Sequence, residues 1–128
     1  MILPVWAIWS IRAWAFATSA SGRTVSITGF TLPASTHGQT VWRTARAMAA
    51  FAMATGNDAR GRAMVRLREA MFTHPEMVAG EGRACTELMR AMDGVAIKTG
   101  AEAVFVAILP QRKLGIAVKI VDGGTRAA

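Results

Sequence analysis

The side chains with the most chemical promise lie in the carboxy-terminal third of the chain. Lys98-Thr99-Gly100 sets an ammonium, a hydroxyl and a residue without a side chain in succession. An ammonium in that place can stabilise a substrate carboxylate or assist proton transfer beside a nucleophile. The hydroxyl can donate a hydrogen bond, and the glycine lets a substrate approach the backbone. Glu102 is a candidate for orienting Lys98 or for binding a substrate amino group, and equally an ordinary polar residue beside a strand. Cys85 opens a helix-patterned segment behind Arg83, where unpaired backbone amides and the guanidinium would favour a thiolate that ligates or reacts. A buried, inert thiol is the plainer alternative. His74 precedes Pro75 with no partner at ligand spacing and reads as a hydrogen-bonded structural residue, and His37 carries less signal still.

These residues need elements to hold them. The run VAIKTGAEAVFVAILPQRKLGIAVKIVDGG reads as an apolar lead-in at 95–97, a strand near 103–109, a turn through Pro110 to Lys113, and a strand near 114–121. Val104, Val106 and Ile108 take one face of the first arm while Phe105 and Leu109 take the other. Both faces therefore want cover, and helices packed on an antiparallel hairpin supply it. Upstream, VWRTARAMAAFAMA at 41–54 is helix-forming, with Arg43 and Arg46 on one side and Ala45, Met48, Ala49 and Ala52 on another. Gly56 and Asn57 break it, and Asp58 caps a second helix towards Phe72 whose expected apolar stripe is Met64, Leu67 and Met71, with Arg62, Arg66 and Glu69 in solvent. After Pro75, Gly80 and Gly82, a short helix is expected to carry Ala84, Leu88 and Met92 along one side. The fold class implied is α+β.

With 128 residues the chain suits one modest domain, and 52% hydrophobic against 18% charged residues excludes disorder despite a formal net charge of +7. A single cysteine excludes an internal disulfide and makes the cytoplasm the default compartment. Positive charge is unevenly placed. Residues 1–57 hold Arg12, Arg23, Arg43 and Arg46 with no acidic residue, whereas residues 71–128 hold seven basic against six acidic ones. Arg60, Arg62, Arg66 and Arg68 raise phosphate binding, but their spacing spreads them around a helix and no aromatic is interleaved for base stacking, so a solvated face is preferred to a nucleic-acid site. Residues 1–40 form a poorly patterned segment, read as a disordered stretch or a misassigned start ahead of a domain at 41–128. Arg12 interrupts the tryptophan-rich opening before it reaches membrane-spanning length, so no membrane span is expected. Secretion, with ATSASG imitating a cleavage site, is a minor reading because no charge precedes the apolar run.

A Lys-Thr-Gly triplet also lies on a strand at the site edge of penicillin-binding proteins and β-lactamases. Three residues are a weak motif, but the longer runs are not. HPEMVAGEGRACTELMRAM at 74–92, GVAIKTGAEAVFVAILP at 94–110 and LGIAVKIVDGGTRAA at 114–128 closely resemble the carboxy-terminal part of the rhizobial-type, or asparaginase II-like, L-asparaginase family, over about residues 58–128. The resemblance implies hydrolysis of L-asparagine to L-aspartate and ammonia on a β-lactamase-like fold. It further implies Lys98 at the catalytic edge with Thr99 and Gly100 supporting it, and Cys85 as a ligand of zinc; Glu102 stays a candidate for the substrate beside them.

The family's nucleophilic Ser-x-x-Lys element has no counterpart. Each serine lies in SIRAW, SASGR, SITGF or STHGQ, without lysine three places later. The family's cysteine-containing DGC-type segment is likewise replaced, by GFTLPASTHG, and the family runs on into a closing helix beyond Ala128. The expectation is a partial β-lactamase-like fold, inactive by itself. A non-enzymatic remnant or a small structural protein, oligomeric through its apolar sheet faces, is the alternative, and a basic nucleic-acid-binding module is the third.

Overall fold

The computed structural model describes residues 13–19, 24–26, 36–120 and 123–124, with side chains from residue 40 onward. Its elements run β1 (Ala13–Ser19), β2 (Thr24–Ser26), α1 (Thr36–Met53), α2 (Ala59–Thr73), α3 (Pro75–Ala79), α4 (Ala84–Ala91), β3 (Ala96–Thr99), β4 (Val104–Leu109) and β5 (Leu114–Ile120). The five strands form one antiparallel sheet in the order β2-β1-β5-β4-β3, and helices pack against it. It is a mixed fold of helices on a small antiparallel sheet. The expected hairpin is β4 and β5, paired from Val104↔Lys119 to Leu109↔Leu114. Pro110–Arg112 make a 3-10 turn that Lys113 closes in the left-handed region at φ 50°.

The stretch 1–40, which carries no periodic signal, supplies β1 and β2. β1 pairs with β5 along its whole length, Ala13↔Ile120 to Ser19↔Leu114, so its partner lies at the far end of the sequence. In AWAFATS the aromatic Trp14 and Phe16 alternate with alanine, so large and small residues alternate but apolar and polar ones do not, and the apolar/polar period that marks a strand is missing. The last five residues of the 1–40 stretch, 36–40, begin α1, whereas residues 1–12, 20–23 and 27–35, with the start of the tryptophan-rich opening and the end of the ATSASG segment, lie outside the described residues. No helix among the described residues is long and apolar enough to cross a membrane.

Helix α1 forms from good helix formers with a stripe of small residues. Val41, Ala45, Ala49 and Ala52, spaced by four, four and three, are all buried, and Arg43 and Arg46 face solvent as expected. The small stripe lets the helix lie directly on β5. A methyl group added at Gly115 would overlap the backbone of Met48 and Ala49, reaching Ala49 Cα at 2.7 Å. Glycine is required there by close approach of two backbones. Val41 and Ala45 pack on Ala117, and Ala52 packs on Ala96 and Ile108 together with Met48, Phe51, Met71 and Phe72.

Asp58 caps α2 as expected, its carboxylate accepting from Gly61 N at 2.5 Å. The stripe of α2 differs from the expectation. Leu67 is 57% exposed, and the half-buried face is Met64, Val65, Arg68, Met71 and Phe72. Arg68 belongs to that face because its guanidinium donates to the carbonyls of Phe51 (2.6 Å) and Ala52 (3.2 Å), which end α1 without intrahelical partners. Arg62, Arg66 and Glu69 are exposed as expected.

Helix α4 is also turned from its expected orientation. Its buried residues are Cys85, Thr86 and Met89, while Ala84, Leu88 and Met92 are exposed. Cys85 and Met89 pack against Ile97, with Val78, Ala79, Val95 and Ala107 around them. Ile97 pairs with Ala107 on the sheet face opposite to Ala96 and Ile108, so α1 covers one face and α4 the other at the β3 end.

Candidate functional site

The Lys-Thr-Gly triplet ends an edge strand. Among the described residues β3 pairs only with β4, from Ala96↔Ile108 to Thr99↔Phe105. Sequence reading treats 95–97 as a lead-in to the hairpin. In the structure that lead-in and Lys98-Thr99 form a strand of their own, made possible by Ala96 and Ile97 burying on opposite faces. Lys98 is exposed, Thr99 half-buried and Gly100 exposed at the strand's end.

The Lys98 ammonium is tethered to α3. Its Nζ donates to the Val78 carbonyl at 2.9 Å, a group near the end of α3 where carbonyls lack helical partners. A lysine resting on one exposed carbonyl keeps donors for an incoming anion. The position of Val78 is in turn set by the α3–α4 corner. Thr86, fully buried on α4, donates from Oγ1 to the Gly80 carbonyl at 2.6 Å, with the Pro75 carbonyl 3.3 Å away. Arg90 grips Glu81 through two hydrogen bonds of 2.7 and 2.8 Å and lies 3.8 Å from Glu76 and 3.7 Å from Glu87. The paired guanidinium hydrogen bonds hold the Glu81 carboxyl below its ordinary value, against partial loss of water and with help from the Arg90 charge.

Glu102 is exposed and sits in the turn between β3 and β4, close in sequence to Lys98, and among the described residues the two make no ion pair. Lys98, Thr99, Gly100 and Glu102 are therefore brought together at one end of the sheet edge. Cys85 is not part of that group. It is 1% exposed and packs on Ile97, whose side chain leaves β3 on the face opposite to Lys98.

Cys85 packs among apolar side chains, Met89, Ile97, Val78, Ala79, Val95 and Ala107, and no three of His, Cys, Asp and Glu gather among the described residues. That environment suits a packed thiol, and no step through a metal is derived from it. His74 is exposed, bridges α2 and α3, and lies 3.9 Å from Glu76, in keeping with a structural role. The His37 side chain lies outside the described residues. A cavity of about 480 Å³ opens between the end of α1 and the start of α2, lined by residues such as Met53, Asp58 and Arg60, and includes none of the triplet.

Thr86 and Lys119 went unassigned in the sequence. The first was hidden because a threonine in a helix usually marks a surface. The second is one residue of a strand that mixes Ile116, Val118 and Ile120 with Ala117 and Lys119, and nothing in that pattern singles it out.

A family model described as L-asparaginase II matches residues 16–128. The chain belongs to the L-asparaginase II family. The match reaches well beyond the 58–128 stretch of quoted resemblance and takes in α1, β2 and most of β1, so the asparaginase-family region includes the sheet strands that sequence pattern missed. No curated protein matches the chain.

Proposed function

We propose that this asparaginase-family chain supplies the Lys-Thr-Gly edge of a site that hydrolyses the amide of L-asparagine, on a β-lactamase-like scaffold of the rhizobial type. The observation that carries the reading is the exposed Lys98 ammonium at the end of an edge strand, followed by Thr99 and an open Gly100. A free strand edge beside a cation suits a small amino acid, since the ammonium pairs with the substrate carboxylate, the Thr99 hydroxyl adds a donor, and the Gly100 backbone offers close approach. In this reading the Glu102 carboxylate accepts a hydrogen bond from the substrate amino group.

The overall reaction adds water across the amide carbon, releasing ammonia and leaving L-aspartate. No serine of the chain precedes a lysine by three places, so the activated nucleophile comes from outside this set of residues, and the chain by itself is inactive. The family's zinc forms no step in this reading, and metal binding at Cys85 would require ligands beyond its described neighbours.

Titration of the chain with L-asparagine, followed at the Thr99 and Gly100 amide resonances, tests the binding step. Lys98→Ala is expected to weaken binding about tenfold, the loss of one charge-assisted contact. Equal binding by both proteins removes Lys98 from the site. Ammonia release is expected to match between wild type and Lys98→Ala, and release above that control would place a nucleophile within the chain.

A second reading, an oligomerising structural protein, is favoured by the exposed Leu67 and by Met77, which is 83% exposed. Its mark is a concentration-dependent molar mass that Leu67→Lys abolishes.

A further inference from the structure

Lys119 stands in β5, directly across from Val104 and, on its other side, from Trp14. It is only 8% exposed, an unusual place for a lysine, and burial of an ammonium is tolerated only where hydrogen bonds replace its water. Its Nζ donates to the Glu102 carbonyl at 2.5 Å and to the Ile120 carbonyl at 2.7 Å. Ile120 O also accepts from Gly123 N at 3.2 Å, so the ammonium joins the β3–β4 turn to the point where the chain leaves β5.

The turn it grips is strained. Val104 N bonds to Ala101 O, and both central residues, Glu102 and Ala103, have φ of 53°. Positive φ at both centres is the demand of a type I′ hairpin turn, which takes Asn-Gly by preference. Glu-Ala meets that demand poorly, since a Cβ is disfavoured in the left-handed region. Such a conformation persists only where its surroundings over-determine it. Two contacts do so here: Gly100 N to Val104 O at 2.7 Å, and the ammonium on Glu102 O. The first of these closes the end of the Lys-Thr-Gly strand itself.

We propose that Lys119 is a positioning residue: its buried ammonium holds the Glu102–Ala103 turn in its left-handed form and thereby fixes the Thr99–Gly100 end of the edge strand. The role assigned to that edge rests on the functional reading above, whereas the coupling of Lys119 to the turn does not. The test is amide hydrogen exchange, read by NMR without substrate. Lys119→Met is expected to raise exchange at Gly100 and Val104 about tenfold while Ala45 and Ala49 in α1 keep their protection. Adding Glu102→Asn and Ala103→Gly, which suit the turn without help, is expected to restore protection at Gly100 and Val104. Unchanged exchange at those two amides in Lys119→Met overturns the proposal. So does a rise that is equal throughout the fold, which would make Lys119 a general support. If Lys119→Met alone does not fold, the variant carrying Asn and Gly decides: a folded protein with Gly100 protected supports the proposal, and failure to fold overturns it. Failure of L-asparagine to bind would sink the functional reading and leave this result untouched.

Discussion

The two helical covers of the sheet hold it in different ways. Over β5, α1 presents Ala45 and Ala49 to Gly115 and Ala117, and the backbones meet with almost no side-chain atoms between them. Beside β3, the α3–α4 corner is joined by polar ties: Thr86 to the Gly80 carbonyl, Arg90 to Glu81, and Lys98 to the Val78 carbonyl. Close-packed contact has no alternative arrangement and resists even one added methyl group. Hydrogen bonds of exposed side chains exchange readily with water and with ligands. The middle of the sheet is thus held by close packing, and its β3 edge by side-chain hydrogen bonds, the buried one from Thr86 and the exposed ones from Arg90 and Lys98.

If that contrast holds, the largest effect should come from the dry side. Gly115→Ala drives a methyl group into the backbone of α1, and neither element can yield without moving the whole helix. A loss of about 3 kcal/mol or more is expected, the upper end for overpacking. Urea unfolding measures it, and a loss under about 1 kcal/mol would show that α1 does not seat on β5 as closely as described.

Thr86→Val probes the polar corner with little change of shape. The hydroxyl is fully buried, so its loss strands the Gly80 carbonyl without its donor. The expected cost is about 1–2 kcal/mol. The same variant should loosen the α3 end that receives Lys98, seen as faster exchange at the Gly80 amide, which bonds to Glu76 O at 2.8 Å. A neutral or stabilising substitution would mean the corner is held by its apolar contacts alone.

What was readable in the sequence follows the same division. Helix α1, the Asp58 cap and the β4–β5 hairpin were legible because local periodicity and one capping side chain specify them. The triplet at 98–100 stood out as a motif, and the structure adds that Lys98 and Thr99 end a strand of their own, β3, with Gly100 next to it. β1 was not legible, because Trp14, Phe16 and Thr18 at alternate positions are only a short local signal, and what makes the segment a strand is pairing with β5 across nearly the whole chain. The faces of α2 and α4 were misjudged for a shared reason. Sorting residues by polarity puts Leu67 and Leu88 inside and Arg68 in solvent and assigns Thr86 no role, whereas carbonyls at helix ends and turns draw Arg68 and Thr86 inward. Lys119 is the same lesson in a strand: a charge in an apolar run marks a backbone group needing a donor.

The smallest effect belongs to the exposed clamp. Arg90 keeps the Glu81 carboxyl ionised further into acid than an unfolded chain would. Because the folded value is lowered, the clamp's contribution is complete above the ordinary glutamate range and disappears as pH falls through the lowered folded value. Both partners face water, with side-chain exposures of 44% for Arg90 and 68% for Glu81, so solvent and salt screen most of the attraction. Glu81→Gln should therefore lower the melting temperature only slightly at neutral pH, less than either substitution above, and the difference from wild type should shrink in acid and in high salt. Melting curves across the acid range decide it. A difference that widens as pH falls would contradict the lowered carboxyl and assign the α3–α4 corner wholly to Thr86 and its apolar neighbours.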